Sequence, residues 1–457
     1  MTQVKNKINI KGKQITVLGA ARSGLAAAKL LKSKGAKVFV SDSGQAERKP
    51  EAVACLQRER IEFEFGRHST RVFQADFCVL SPGIPVASPV VKECLQRGIP
   101  VYSEIEIASW FYTGPVIAIT GSNGKTTTTT LIGQMLRKAD PHAVVAGNIG
   151  QPFSDFVLEN HKNSWAAVEV SSFQLETINT FHPQQVVLLN FAPNHLDRYP
   201  DYQAYKAAKW RVTKNLTEND LLIYNAADDE ILTRLPKLHC RKIGFDINGN
   251  VSAHAYFAQN ALWINKQKWL DVSQMKIRGL HNYMNAMAAI LAAYNAGVPK
   301  EDIIDVLQTF PGVEHRLEFV AKINGVKFIN DSKATTVESL YYALQSFDQP
   351  IILIAGGKDK GSDFTRLNNS IRQKVKTLVL IGKAAPKMEK AWSALKPIVK
   401  ARTLQQAVVQ AFERAQSGDV ILLSPACASF DMFNDFEDRG KQFKKIVKEL
   451  KEKNEAQ

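Results

Sequence analysis

Eleven short apolar runs punctuate the chain: QITVLGA, AKVFVSD, FCVLSPG, PVIAITG, AAVEVSS, QVVLLN, LLIYNA, VKFIND, PIILIAGG, TLVLIG and DVILLSP. Each is a nearly continuous stretch of Val, Ile and Leu that runs into Gly, Ser, Asn or Asp, and stretches of helical spacing lie between them. A strand without a polar alternate has no face for water, so it must be covered on both sides, which is the condition of parallel sheets flanked by helices. The pattern therefore predicts an α/β protein built on mainly parallel sheets. Ligands of such sheets sit at the carboxyl ends of the strands, where this chain places its small polar residues.

At 457 residues and about 150 per domain, roughly three domains are expected. The motifs restart twice, which divides the chain into 1–104, with a βαβ opening, 105–313, beginning just before a glycine-rich turn, and 314–457. The formal charge of +15 raises nucleic acid or small polyanions as partners. The basic residues are spread along the whole chain without an aromatic-basic signature. The densest run, GKQFKKIVKELKEKNEAQ, has the spacing of a solvated C-terminal helix. Small anions are the expectation, and nucleic acid is not. No apolar run approaches the ~18 residues of a membrane helix, and the start lacks an apolar signal core, so a cytoplasmic protein without membrane contact is expected. The five cysteines are scattered without CxxC spacing and read as reduced and mostly buried.

Chemistry enters at PVIAITGSNGKTTTTT. The common phosphate-loop pattern GxxxxGK[ST] would place a glycine where Ile119 stands, so a shorter loop is expected. Backbone N–H groups of Gly121, Ser122, Asn123 and Gly124 and the start of the next helix can cradle phosphate. Lys125 supplies a cation, Thr126 a hydroxyl for Mg2+, and Thr127 extends the helix start. Glu169, at the end of a buried strand, is costly unless paired or bound to metal. His195, Asp197, Lys206 and Lys209 follow another strand. Earlier, VLGAARSGLAAAKLLKSKGAKVFVSDS has the outline of a dinucleotide turn from Gly19 to Gly24, but Ala21 replaces the middle glycine. A diphosphate near Arg22 and Ser23 and a base or ribose near Asp42 and Ser43 would fit, with Gly83 at the same sheet edge.

TGSNGKTTTT, EVSSFQLE, NHLDRY followed by YKAAK, HNYMNAMAA, HR at 315 and 316, NDSKATT, GGKDKGSDF and LSPACASFDMFNDFEDRG, in this order, resemble the fingerprint of the Mur ligases. The resemblance spans nearly the whole chain. It implies Rossmann-like N- and C-terminal domains flanking a central phosphate-loop ATPase domain. It also implies an ATP-dependent amide ligase of peptidoglycan precursor synthesis, joining D-glutamate to UDP-N-acetylmuramoyl-L-alanine through an acyl phosphate, expected as a monomer. The string DNPR of the diamino-acid-adding members is absent, which favours D-glutamate.

Roles follow by resemblance. Lys209 matches a lysine carbamylated by CO2 that, with Glu169 and His195, holds the second of two Mg2+ ions. Lys206 is the rival candidate but is out of register with the family pattern. Asn282, Asn285, Arg316 and Asp331 match ATP-contacting positions, and Lys333 lies near the reacting carboxylate. Asn148, Gly150, Ser171 and Gln174 join the UDP-substrate set. Thr335, Lys360, Ser429, Phe430 and Phe436 match the D-glutamate site, with Lys358 a second lysine in the same turn. Asn194 stands where an acidic residue is frequent. Three other functions compete: folylpolyglutamate synthesis, disfavoured by the first ~100 residues; an NAD-dependent oxidoreductase, disfavoured by Ala21; and a nucleic-acid-stimulated ATPase, suggested by charge alone.

Overall fold

The computed structural model describes residues 8–159, 163–193, 198–359 and 361–455. All eleven apolar runs form strands. In the first sheet β1 (Gln14–Leu18), β2 (Lys37–Asp42), β3 (Glu62–Phe65), β4 (Phe77–Leu80) and β5 (Val101–Ser103) lie parallel in the order β3-β2-β1-β4-β5. The chain changes direction of travel across the sheet between β1 and β4, which opens a crevice at their carboxyl ends. The turn after β1 depends on two glycines. Gly19 has φ +93°, and a Cβ on Gly24 would stand 1.9 Å from the Gly19 carbonyl oxygen. Ala21 sits exposed in extended backbone, so its methyl is tolerated.

The second sheet comprises β6 (Val116–Thr120), β7 (Val144–Gly147), β8 (Ala166–Glu169), β9 (Gln185–Leu188), β10 (Leu221–Asn225), β11 (Arg241–Asp246), β12 (Ala255–Ala258), β13 (Ala261–Ile264) and β14 (Gln267–Asp271). Their order is β14-β13-β12-β11-β10-β9-β6-β8-β7, parallel except at the β12–β13 and β13–β14 pairings. Here too β6 is the switch point, with β8 on one side and β9 on the other. The third sheet has β15 (Glu318–Ile323), β16 (Val326–Asn330), β17 (Ile351–Gly356), β18 (Val375–Ile381), β19 (Ile398–Lys400) and β20 (Val420–Leu423), ordered β15-β16-β20-β17-β18-β19 and parallel save for β15.

The chain forms two compact units: residues 1–276 with 280–310, and residues 277–279 with 311–457. The first two sheets share the first unit. One buried cluster runs from Val17 and Leu30 through Ile105 and Ala108 of the helix Glu104–Phe111 to Ala118 and Val168, so burial of apolar side chains joins the two sheets. In the second unit, clusters cover both faces of the third sheet, as the continuous apolar runs of β17 and β20 and the Leu378–Ile381 end of β18 require. The helix Phe436–Glu455 packs against it through Phe443 and Val447 and turns its lysines outward, which explains how so basic a run is helical. Among the described residues no helix is long and apolar enough to cross a membrane.

Candidate active site

The phosphate loop leaves β6 at the switch point. Ile119 is buried within the strand, paired with Glu169 and Val187, so the loop proper is only Gly121 to Gly124. Gly121 and Gly124 have φ +150° and +84°, conformations that a side chain disfavours. Two side chains pin the turn. The Ser122 hydroxyl lies 2.9 Å from the Tyr205 hydroxyl, and Asn190 accepts from the Asn123 amide and donates back to the Asn123 carbonyl. Lys125 opens the helix Lys125–Ala139, and its Nζ donates to the carbonyls of Gly121 and Ser122 at 2.8 and 3.0 Å. Thr126 and Thr127 are buried in the first turn. The following threonines are helix residues: Thr129 and Thr130 donate to carbonyls one turn back. Asn285, on the helix Leu280–Asn295, reaches the loop so closely that a Cβ on Gly124 would meet its Oδ1 at 2.3 Å. Its Nδ2 approaches Asn282 Oδ1 at 3.5 Å.

Lys209 and Lys206 share the helix Tyr202–Trp210, and their surroundings separate them. Lys206 Nζ pairs with Glu230 at 2.5 Å. Lys209 is buried, its Nζ donating to the Gly121 carbonyl at 2.9 Å. Burial first, then the charge on Lys125, hold its amine well below the ordinary lysine range, with Glu169 pulling the other way. Glu169 closes β8 beside it. One carboxylate oxygen accepts from Asn148 at 2.9 Å, and the other is buried with no hydrogen-bond partner among the described residues. An orphaned carboxylate oxygen beside a buried lysine of depressed basicity is a donor set that fits a hard cation. His195, with Asn194 and Asp197, lies outside the described residues, as does Lys360.

A cavity of about 560 Å³ opens at the carboxyl ends of β1 and β4. Its lining includes Arg22, Ser23, Asp42, Ser43 and Gly83 from the first sheet's loops and Asn148, Gly150 and Gln174 from the second's. Arg22 Nη1 approaches the Gly150 carbonyl at 3.4 Å. Ser171 stands beside the cavity in a capping box with Gln174, whose Nε2 is buried without a partner among the described residues. Asp42 accepts from the amides of Ala20 and Gly44 and pairs with Lys49 at 2.6 Å. Burial raises its pKa, but these partners prevail and leave it below the usual carboxylate range. Lys49 also lines the cavity; nothing in a local pattern marked it.

The remaining candidates are in the second unit. Asp331 accepts from the Leu317 amide and the Ser424 hydroxyl, and burial pushes its carboxyl up to about 7 despite the Arg316 charge. The Lys333 amide donates to the His315 carbonyl, and its Nζ stands 5.4 Å from the centre of the Phe436 ring. Thr335 is half-buried in the same turn and Ser429 is buried after β20, whereas Phe430 is 65% exposed. Arg439, unnoticed in a basic helix, ties these turns together. Fully buried, it donates to the Ser332 hydroxyl and carbonyl and to the Cys427 carbonyl.

Three family models match in order: the MurD-like N-terminal domain over residues 13–103, the Mur ligase middle domain over 119–293 and the Mur ligase glutamate ligase domain over 315–427. The chain belongs to the Mur ligase family. Its curated relatives include proteins named UDP-N-acetylmuramoylalanine--D-glutamate ligase from Chloroherpeton thalassium, 45% identical over 96% of this chain and 99% of the relative, and from Salinibacter ruber, 42% identical over 96% and 99%. The fold is also that of the UDP-N-acetylmuramate-alanine ligase MurC of Thermotoga maritima, at 18% identity and TM-score 0.64 over 96% of this chain and all of that one. The MurF ligase of the same organism, solved with ADP, matches at 14% identity and TM-score 0.58 over 98% of each chain.

Proposed function

We propose that the protein uses ATP to join D-glutamate to UDP-N-acetylmuramoyl-L-alanine, as the names of its relatives describe. The observation that carries this is the cluster of phosphate loop, Lys209 and orphaned Glu169 in the same unit as a cavity of nucleotide-sugar size. Residues 1–104 would supply most of the UDP site, 105–313 the ATP site and 314–457 the amino-acid site. Amide formation needs an activated acyl group, and phosphoryl transfer to the substrate carboxylate supplies an acyl phosphate. The transfer brings two anions together. Lys125 and the amides of residues 121–124 would bind phosphate oxygens, and Thr126 and Glu169 would hold Mg2+, which when bound offsets the remaining charge.

Lys209 suits a carbamate because CO2 reacts only with a neutral amine, and burial favours the neutral form. With His195 it would complete a site for a second ion. Lys333 would face the reacting carboxylate and Thr335, Lys360, Ser429, Phe430 and Phe436 the incoming D-glutamate, whose amine attacks the acyl carbon. Arg316, Asp331, Asn282 and Asn285 would hold the nucleotide, and a monomer carries every residue named.

The test is phosphate release with UDP-N-acetylmuramoyl-L-alanine and a panel of amino acids. Turnover is expected to require D-glutamate, and turnover indifferent to it would refute the proposal. Lys125→Ala is expected to cut kcat by about 10³ while leaving the circular dichroism spectrum unchanged. Retained activity in that variant would remove Lys125 from the phosphate site.

A further inference from the structure

Arg198, the arginine of NHLDRY, has no part in the chemistry above, yet it reaches the loop after β4. Its Nη1 donates to the Pro82 carbonyl at 2.8 Å and its Nη2 to the Ile84 carbonyl at 2.9 Å, more than a hundred residues away in sequence. Its guanidinium carbon stands 3.8 Å from the centre of the Phe173 ring, and Phe173 in turn stacks on Tyr199 at 5.8 Å and 13°. Pro82, Gly83 and Ile84 line the cavity, and so does Gln174, next to Phe173. Within the loop after β4 the Ile84 amide closes a turn on the Ser81 carbonyl, the Ile84 side chain packs on the first sheet's core, and a Cβ on Gly83 would meet nothing within 4 Å. Two carbonyls presented in parallel suit the fork of an arginine, which a lysine cannot reproduce.

We infer that Arg198 is a positioning residue for the UDP-sugar substrate, tying the 82–84 segment to Phe173, beside Gln174, before the substrate arrives. The inference rests on the proposed function for the identity of the ligand. Preorganisation of this kind removes an ordering cost from binding and leaves the bonds made in the transition state unchanged, so its loss belongs in KM and not in kcat. The chain from Arg198 leads directly into the helix bearing Lys209, so the contact also links the substrate wall to the segment that enters the catalytic centre.

The experiment uses the full-length protein and the variants Arg198→Ala and Arg198→Lys. Losing two charge-assisted hydrogen bonds is expected to raise KM for the UDP-sugar substrate about tenfold in Arg198→Ala, with kcat within about threefold and KM for ATP within about twofold. Arg198→Lys keeps a cation beside Phe173 and should show a smaller rise, about threefold. Hydrogen exchange of the ligand-free protein should show the Ile84 amide exchanging faster in Arg198→Ala, with the phosphate loop unaffected. That readout, and calorimetric titration with UDP alone, need no turnover, so absence of ligase activity in the parent protein would overturn the proposed function without deciding this inference. An Ile84 amide exchanging at the parent rate, or a KM for ATP rising in step with that for the UDP-sugar, would overturn the role of Arg198.

Discussion

Lys206 and Lys209 are three residues apart on one helix, and the difference between them is environment. Lys206 spends its charge on Glu230, whereas Lys209 is enclosed against the Gly121 carbonyl with Lys125 and Glu169 near it. Lys209→Ala is therefore expected to lose at least about 100-fold in kcat and to be partly rescued by added acetate or formate. Lys206→Ala should stay within about threefold of the parent, since it loses a half-exposed ion pair. Equal losses in both would show that the helix, and not the Lys209 amine, is what matters. Glu104 is a second residue whose state is set by burial. One oxygen accepts from the Ser154 amide at 2.6 Å, the other has no hydrogen-bond partner among the described residues, and burial pushes its carboxyl up to about 7. Between the unfolded value of 4.5 and 7 the folded protein retains a proton that the unfolded chain has released, so this group's contribution is greatest at low pH and is lost as pH rises through that window. The loss amounts to about 3 kcal/mol. Urea unfolding at about pH 5 and pH 8 should show a fall in stability that is reduced in Glu104→Gln; an identical slope in the variant would remove Glu104 as its source.

At the level of elements, the carboxyl ends of β1, β4, β6 and β8 carry the candidate groups, and the turns after β1 and β6 leave no room for a side chain at Gly24 and Gly124. Gly24→Ala would drive a methyl against the Gly19 carbonyl, 1.9 Å from the ideal Cβ position, and displace the turn bearing Arg22 and Ser23. The expected cost is about 2 kcal/mol of stability and weaker binding of UDP by calorimetry, with ATP binding unaltered; unchanged UDP affinity would place the nucleotide elsewhere. The strands that the apolar runs revealed and those they did not differ in position. All six edge strands, β3, β5, β7, β14, β15 and β19, lie outside the eleven runs. An edge strand is short and partly wet, so its sequence need not be continuously apolar: EFEF in β3 and QKWLD in β14 alternate instead.

Across the whole molecule, two compact units carry the two halves of the candidate machinery, and each has its own tie. In the second unit Arg439 is that tie, with burial holding its guanidinium down to about 10 and the carbonyls of Ser332 and Cys427 accepting its hydrogen bonds. Arg439→Met would orphan those carbonyls at a cost of roughly 3 kcal/mol and lower the second unit's calorimetric transition by roughly 10 °C. A first-unit transition that moved by the same amount would mean that the units do not unfold separately. The chain's own order of residues determined the α/β class, the central strands, the short phosphate loop and the identity of most candidate ligands, because continuous apolar runs and glycine-bearing turns are local properties that need no partner to be recognised. Only the tertiary structure decided that Lys209 is enclosed against the Gly121 carbonyl while Lys206 pairs with Glu230, that Glu169 has an oxygen without a partner among the described residues, and that Lys49, Asn190, Arg198 and Arg439 stand against the candidate site residues. Those assignments depend on burial and on partners tens to hundreds of residues distant, and a charged side chain looks the same in the sequence whether it faces water or a buried carbonyl.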